Sequence, residues 1–143
     1  MPSSKFYKKP NIKINHICTS GIIVRDNKVL LGHRCYHRIN AWMSPGGRCE
    51  ENETPEETLL REIQEEIGVT DARIEIKLGE KSGVYKNKTG RDKVLMFKVF
   101  IAQEPCLMEP EKFTEWKWFD LNELPDNLLD KKDKEFFIKA LQI

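Results

Sequence analysis

The chain has four cysteines (Cys18, Cys35, Cys49 and Cys106) but no C-x-x-C pair, and it has no apolar run of membrane length, internal repeat or low-complexity linker. Missing C-x-x-C pairs, with no secretory leader pattern, point to a reduced, cytoplasmic setting. The lack of a long apolar run removes the membrane as a partner. His33-x-Cys35-x-His37 lacks the second ligand pair that a structural zinc site needs. Nor is there a long basic stripe with interleaved aromatics, which disfavours nucleic acid as a partner. Lys5, Lys8 and Lys9 do sit in a polar segment, residues 1–12, expected to be a flexible arm.

What is present is a globular composition. With 143 residues, 39% hydrophobic and 33% charged, the expectation is a single folded domain over 1–143 with a sizeable core, as a monomer or homodimer. The formal charge is +1, yet it is unevenly spread. Gly47–Gly68 holds eight Glu and two Arg, a net of −6, so the rest of the chain carries +7. A local acidic site in a mildly basic body suits metal ions holding an anionic ligand.

Periodicity gives the elements. His16–Arg25 is rich in β-branched residues and reads as a strand, Asp26-Asn27 as a turn and Lys28–Leu31 as the returning strand. Arg34–Met43, polar and aromatic, reads as a loop ending at Ser44-Pro45-Gly46-Gly47. Pro55–Ile67 reads as a helix. Thr54 suits the N-cap, Pro55 the first position, Glu57 completes a capping box and Gly68 supplies the stop. Ala72–Leu78, Lys93–Ala102 and Thr114–Phe119 read as strands, with a turn at Asn87–Gly90. A final helix is expected from about Asp130 to Leu141, burying Phe136, Phe137, Ala140 and Leu141. Strands mixed with two helices predict an α/β sandwich.

The middle helix carries the chemistry. At about 100° per residue, Leu59, Leu60, Ile63 and Ile67 form one apolar stripe facing a core. Glu62, Glu65 and Glu66 share the face beside it, with Arg61 next to them. Like charges spaced i,i+4 cost a few tenths of a kcal/mol, and Glu65 and Glu66 also lie near the negative end of the helix dipole. An ordinary solvated helix would tolerate this, whereas a divalent cation would reverse the sign of each term.

The flanking residues complete a pattern. Gly47-x5-Glu53-x7-Arg61-Glu62-Ile63-x-Glu65-Glu66-x-Gly68-Val69 resembles the Nudix box with no position missing. Upstream "VLLGHR" and "WMSPGG" and downstream "MEPEKFTEWKWFDLNELP" resemble the family too, so the likeness covers His16 to Pro125. It implies a Nudix-type α/β/α sandwich with a mixed sheet and the Nudix loop-helix-loop. It also implies an enzyme that hydrolyses a diphosphate linked to another group, by water attack at phosphorus with Mg²⁺ or Mn²⁺. By that resemblance Glu62, Glu65, Glu66 and the Gly46 carbonyl would be metal ligands. Arg61 would orient the glutamates, and Glu53 would back them. Glu62 or Glu66 could accept the water proton; for members that use a base from a later loop instead, the candidates here are Glu109, Glu111 and Glu115, with Glu111 first.

Around this core, Arg34, Arg38 and Arg48 are candidate phosphate contacts, since an arginine fork matches phosphate oxygens; solvated loop arginines are the bland alternative. Trp42, Trp116 and Phe119 are candidates for stacking on a base, although alternation puts Trp116 and Trp118 on one face, where they could equally be core. The small-molecule substrate expected from the resemblance is a (deoxy)nucleoside triphosphate, cleaved to monophosphate and pyrophosphate. Tyr85 stands roughly where dinucleoside polyphosphate hydrolases carry a tyrosine, which keeps that substrate open. "SGVYKNKTG" lacks the proline expected for ADP-ribose hydrolysis, and the upstream motif for coenzyme A is missing. A non-catalytic nucleotide or RNA binder on the same fold is the alternative from another class; the complete glutamate set argues against it.

Overall fold

The computed structural model describes residues 14–87 and 90–143. The expected arm at 1–12 and the middle of the Asn87–Gly90 turn lie outside the described residues. The elements in chain order are β1 Ile14–Arg25, β2 Lys28–Arg34, β3 Ala41–Met43, β4 Gly46–Arg48, α1 Pro55–Ile67, β5 Arg73–Asn87, β6 Gly90–Phe100, β7 Phe113–Phe119 and α2 Asp133–Gln142, with a 3₁₀ turn at Leu121–Glu123.

The sheet is mixed. Its main path runs β3-β2-β1-β6-β5, with β4 joined to β1 and β7 to β2. β1 and β6 are parallel, with Cys18 opposite Val94 and Ile22 opposite Lys98, and the other pairings are antiparallel. A parallel pair requires a crossover, and α1 lies within the connection that provides it.

Alternation along the central strands divides the core into two layers. Ile23, Leu30, Phe97 and Val99 face Leu59, Ile63 and Ile67 of α1. Ile22, Val29, Leu31 and Met96 face Phe137 and Ala140 of α2. Each fully buried side chain of this size contributes about 1.5–3 kcal/mol, so both helices are held by burial on opposite faces of one sheet. The sandwich is therefore α/β/α.

Four local expectations are corrected. β2 continues to Arg34, and residues 41–43 of the expected loop form β3, because Gly32–Arg34 pairs with Ala41–Met43. β5 extends past Leu78 to Asn87, absorbing irregularities between Ile74 and Ile76, between Lys77 and Gly79 and between Ser82 and Lys86. Leu60, assigned to the buried stripe, is 40% exposed while Leu59, Ile63 and Ile67 are fully buried. The last helix starts at Asp133 and buries Phe137 and Ala140, whereas Phe136 and Leu141 are only partly covered.

Candidate active site

The caps of α1 fix where its carboxylates stand. Thr54 Oγ1 accepts from the Glu57 N–H at 3.1 Å, and Glu57 Oε1 accepts from the Thr54 N–H at 2.9 Å. Gly68 takes φ +70° and its N–H returns to the Gln64 carbonyl, a left-handed cap that favours glycine. Its reciprocal capping box stiffens the first turn, directly after Glu53.

Arg61 is the hub of the acidic face. Its Nε donates to Glu53 Oε2 at 2.6 Å and its Nη2 to Glu53 Oε1 at 3.1 Å, a two-point grip. Its Nη1 reaches Glu62 at 3.2 Å and Glu65 at 3.3 Å. Glu53 Oε1 also accepts from the Thr58 hydroxyl at 2.7 Å and the Glu50 N–H at 3.0 Å. The Arg61 hydrogen bonds, followed by those from Glu50 and Thr58, hold the Glu53 carboxyl down at about 2. The Arg61 guanidinium is pushed upward, chiefly by Glu53.

The other two carboxylates meet the opposite environment. Glu66 is only 7% exposed. Its one hydrogen bond is with the Gly46 N–H, which donates to Oε1 at 3.1 Å. Burial pushes its carboxyl well above the ordinary range, the nearby Glu62 charge adds to this, and Glu109 adds further. Glu62 is likewise raised, first by burial, with Arg61 opposing. Glu65 is half exposed.

β4 is the wall these groups share with a cavity of about 230 Å³. Gly46 and Gly47 both line it. A Cβ on Gly46 would stand 2.0 Å from the Thr19 carbonyl oxygen, and one on Gly47 would stand 2.5 Å from Glu62 Cδ. Gly47 therefore lets backbone lie directly against the Glu62 carboxylate, while Gly46 lets β4 pack closely on the Thr19 backbone.

Arg34 enters the same cavity from the end of β2. Its guanidinium lies 4.0 Å from the Tyr36 ring and 5.7 Å from the Tyr85 ring. It is 9% exposed, its Nε has no hydrogen-bond partner, and among the described residues no carboxylate pairs with it. A buried guanidinium without a counter-charge is costly, so an anion is the ligand that suits it. The lining also includes Ser44 and the ion-bonded group Lys81, Asp130 and Asp133.

Several sequence candidates fall elsewhere. Trp42 does not line the cavity; it packs edge-on to Phe119 at 4.9 Å and is pinned through its backbone to Asn127 and Leu129. Trp116, partly buried, packs on Phe113 at 4.7 Å, beneath Gly32 and against the α1 layer, and lies outside the cavity lining. Arg38 is an exposed loop residue outside the lining, and Arg48 points to Asp92 at 3.8 Å. Tyr85 lines the cavity and is half exposed. Glu111 is exposed, its carbonyl turned to Cys35. It is Glu109 whose charge reaches Glu66, because the Cys106 N–H donates to the Ile67 carbonyl and Met108 lies against Gly68, folding this segment onto the end of α1. Lys81, Ser44 and Tyr36 were not singled out by sequence. Ser44 sits inside the "WMSPGG" segment, but nothing about Lys81 sets it apart from other strand lysines.

The donor chemistry fits a hard cation. Glu62 and Glu66 are oxygen ligands whose mutual repulsion and burial a dication would relieve. Among the described residues no three His, Cys, Asp or Glu side chains converge on one point, since Arg61 draws Glu65 and Glu62 toward itself.

An acidic helix face and the Arg34 guanidinium, which has no carboxylate partner among the described residues, are joined through a two-glycine strand. The NUDIX domain model matches residues 15–140, and the chain belongs to that family. It is 46% identical over 56 residues to the 8-oxo-dGTP diphosphatase of Proteus vulgaris, 38% of this chain and 50% of that relative, so the chain spans half that relative's length. It is 31% identical over 130 residues to the RNA pyrophosphohydrolase of Gluconobacter oxydans strain 621H, covering 78% of this chain and 71% of the relative. It is also 31% identical over 135 residues to the ADP-ribose pyrophosphatase of Methanocaldococcus jannaschii, covering 90% and 79%. Among solved structures, a MutT NUDIX hydrolase from Burkholderia pseudomallei superposes with a TM-score of 0.70 at 25% identity, over 89% of this chain and 95% of that one. The chain is a hydrolase of this broad class, acting on phosphoric anhydrides. No helix among the described residues is long and apolar enough to cross a membrane.

Proposed function

We propose that the chain hydrolyses a nucleoside triphosphate to the monophosphate and pyrophosphate, with Mg²⁺, or Mn²⁺ in its place, as cofactor. The observation that carries this reading is the shared wall. Gly46 and Gly47 line the Arg34 cavity and touch Glu66 and Glu62. A polyphosphate lying along that wall meets the guanidinium and the acidic face together. When bound, the cation neutralises phosphate charge and lowers the pKa of a coordinated water.

The chain's own residues do the rest. Arg34 grips a phosphate oxygen, and Arg61 with Glu53 keeps the glutamates in register. Glu66 or Glu62, held as a carboxylate once a cation offsets burial and their mutual repulsion, accepts the proton as water oxygen bonds to phosphorus and the bridging P–O bond breaks, releasing pyrophosphate. Glu109 lies near enough to assist electrostatically. The test is a panel of dNTPs, diadenosine tetraphosphate, ADP-ribose and 5′-triphosphate RNA with Mg²⁺, with products identified by mass spectrometry. Pyrophosphate and a monophosphate from a dNTP support the proposal, and turnover confined to another arm of the panel overturns it. Tyr85, half exposed beside Arg34, gives a dinucleoside polyphosphate its one specific support, as a surface for a second base.

A further inference from the structure

Arg34 lacks the anchor that usually orients a buried arginine. Among the described residues its Nε has no hydrogen-bond partner and no carboxylate pairs with it. What lies against it is aromatic: the guanidinium carbon is 4.0 Å from the Tyr36 ring centroid and 5.7 Å from that of Tyr85. A ring face attracts a guanidinium through its quadrupole, at separations up to about 6 Å, without consuming an N–H donor. A carboxylate would hold the group as firmly but would occupy the fork that an anion needs.

Tyr36 is itself well placed. The Cys35 N–H donates to the Lys112 carbonyl at 2.8 Å, continuing the β2–β7 pairing past Arg34. The Ile39 N–H returns to the Tyr36 carbonyl at 3.1 Å, across His37 and Arg38 at φ +56° and +59°. Glycine and asparagine are the usual occupants of two such left-handed positions, so this turn is held by its surroundings. The Tyr36 ring packs edge-on to the buried Phe113 at 6.2 Å and lines the cavity beside Arg34. The charges of Arg34 and Glu66 both reach its phenol. An unheld guanidinium would therefore have an α1 carboxylate as a rival partner.

We propose that Tyr36 is the positioning residue for Arg34: its ring face, in place of a carboxylate, holds the guanidinium in the cavity wall with its donors free for a phosphate group and keeps it off the acidic face of α1. This rests on the reading of Arg34 as a phosphate contact given above. The gain is preorganisation, since an arginine fixed before binding loses less freedom on meeting the anion.

Calorimetry with inorganic pyrophosphate and Mg²⁺ tests this without turnover. Tyr36→Phe keeps the ring and should keep the wild-type affinity, whereas Tyr36→Leu should lose on the order of tenfold, the scale of one desolvated cation–ring contact. In an Arg34→Met background the same leucine substitution should change affinity by less than about twofold. In the wild type, the Arg34 Nε–H resonance, assigned by its absence from Arg34→Met, should lie upfield of the free-arginine position through the Tyr36 ring current. A folded Tyr36→Leu variant with wild-type affinity overturns the proposal. So does a loss that persists in the Arg34→Met background, which would mark the ring as packing alone, or a Tyr36→Phe loss as large as the leucine one. If the leucine variant does not fold, a wild-type Arg34 Nε–H at the free-arginine position overturns it. Wild-type protein that binds no pyrophosphate overturns the phosphate reading of Arg34 and this role with it. These binding results without turnover of any triphosphate overturn the hydrolase reading alone; turnover with no Tyr36 effect overturns only the positioning.

Discussion

The Gly46 N–H donates to Glu66 Oε1 at 3.1 Å, across 20 positions of sequence. That single bond ties the strand lining the cavity to the most deeply buried carboxylate of α1. Burial and the Glu62 charge raise the Glu66 carboxyl, so the folded state takes up its proton more readily than the unfolded chain does. The metal-free protein should therefore lose stability as pH rises from the ordinary carboxylate pKa upward through the folded one. Thermal melts across that range should show the fall. Saturating Mg²⁺ or the Glu66→Gln substitution should flatten it.

Glu66→Gln should also lower kcat by roughly 10²–10⁴-fold, the usual contribution of a positioned acid or base. The fold should persist, because a neutral amide replaces a buried charge. Steady-state kinetics alongside a melt would check both halves, and a variant with full activity would remove Glu66 from the mechanism.

Glu53 has the opposite sign. Arg61 depresses its carboxyl to about 2, so its contribution is complete above the ordinary carboxylate pKa and is lost as pH falls toward 2. Arg61→Lys breaks the two-point grip and should reduce activity or metal affinity about 10–100-fold, as losing a ligand-orienting partner does. Titrating Mg²⁺ against rate separates the two effects.

Gly46→Ala and Gly47→Ala should differ in kind. The first drives a Cβ into the Thr19 backbone carbonyl, and the second into the movable Glu62 side chain. Gly46→Ala is expected to destabilise by about 1–3 kcal/mol. Gly47→Ala should stay folded while its Mg²⁺ requirement rises. Melting temperatures paired with Mg²⁺ activation curves distinguish them.

Arg34→Met removes a guanidinium with no carboxylate partner among the described residues. Stability should hold or improve, while the KM for a triphosphate rises at least about tenfold, consistent with one charge-assisted contact of roughly 1.5–3 kcal/mol. Parallel melts and kinetics would show the split, and an unchanged KM would remove Arg34 as a phosphate contact.

Much of this was legible in the chain. The α1 boundaries followed from Thr54, Pro55, Glu57 and Gly68, whose capping chemistry is local. The face shared by Glu62, Glu65 and Glu66 followed from helix periodicity. What escaped was set by tertiary contact. Leu60 lies close in angle to Ile67 yet emerges where no neighbouring element covers it. The reach of the Glu109 charge to Glu66 depends on the Cys106–Ile67 bond and the Met108 contact with Gly68. Alternation left Trp116 open between stacking and core, and sequence does not reveal that Gly32 makes room for it against the α1 layer. Lys81, lying in a strand longer than its pattern suggested, meets Asp130 and Asp133 only once α2 has docked.

The parallel pairing of β1 with β6 has a consequence for tempo. Their connection includes α1, and Leu59, Ile63 and Ile67 are sealed against the centre of the sheet. The acidic helix therefore has no low-energy way to detach by itself. Its interior amides should exchange with solvent deuterium as slowly as those of the central strands, through whole-molecule opening. The segment carrying Glu109, held mainly by its contacts at the end of α1, should exchange far sooner, so that one half of the acidic surroundings keeps the clock of the fold and the other half the clock of a loop.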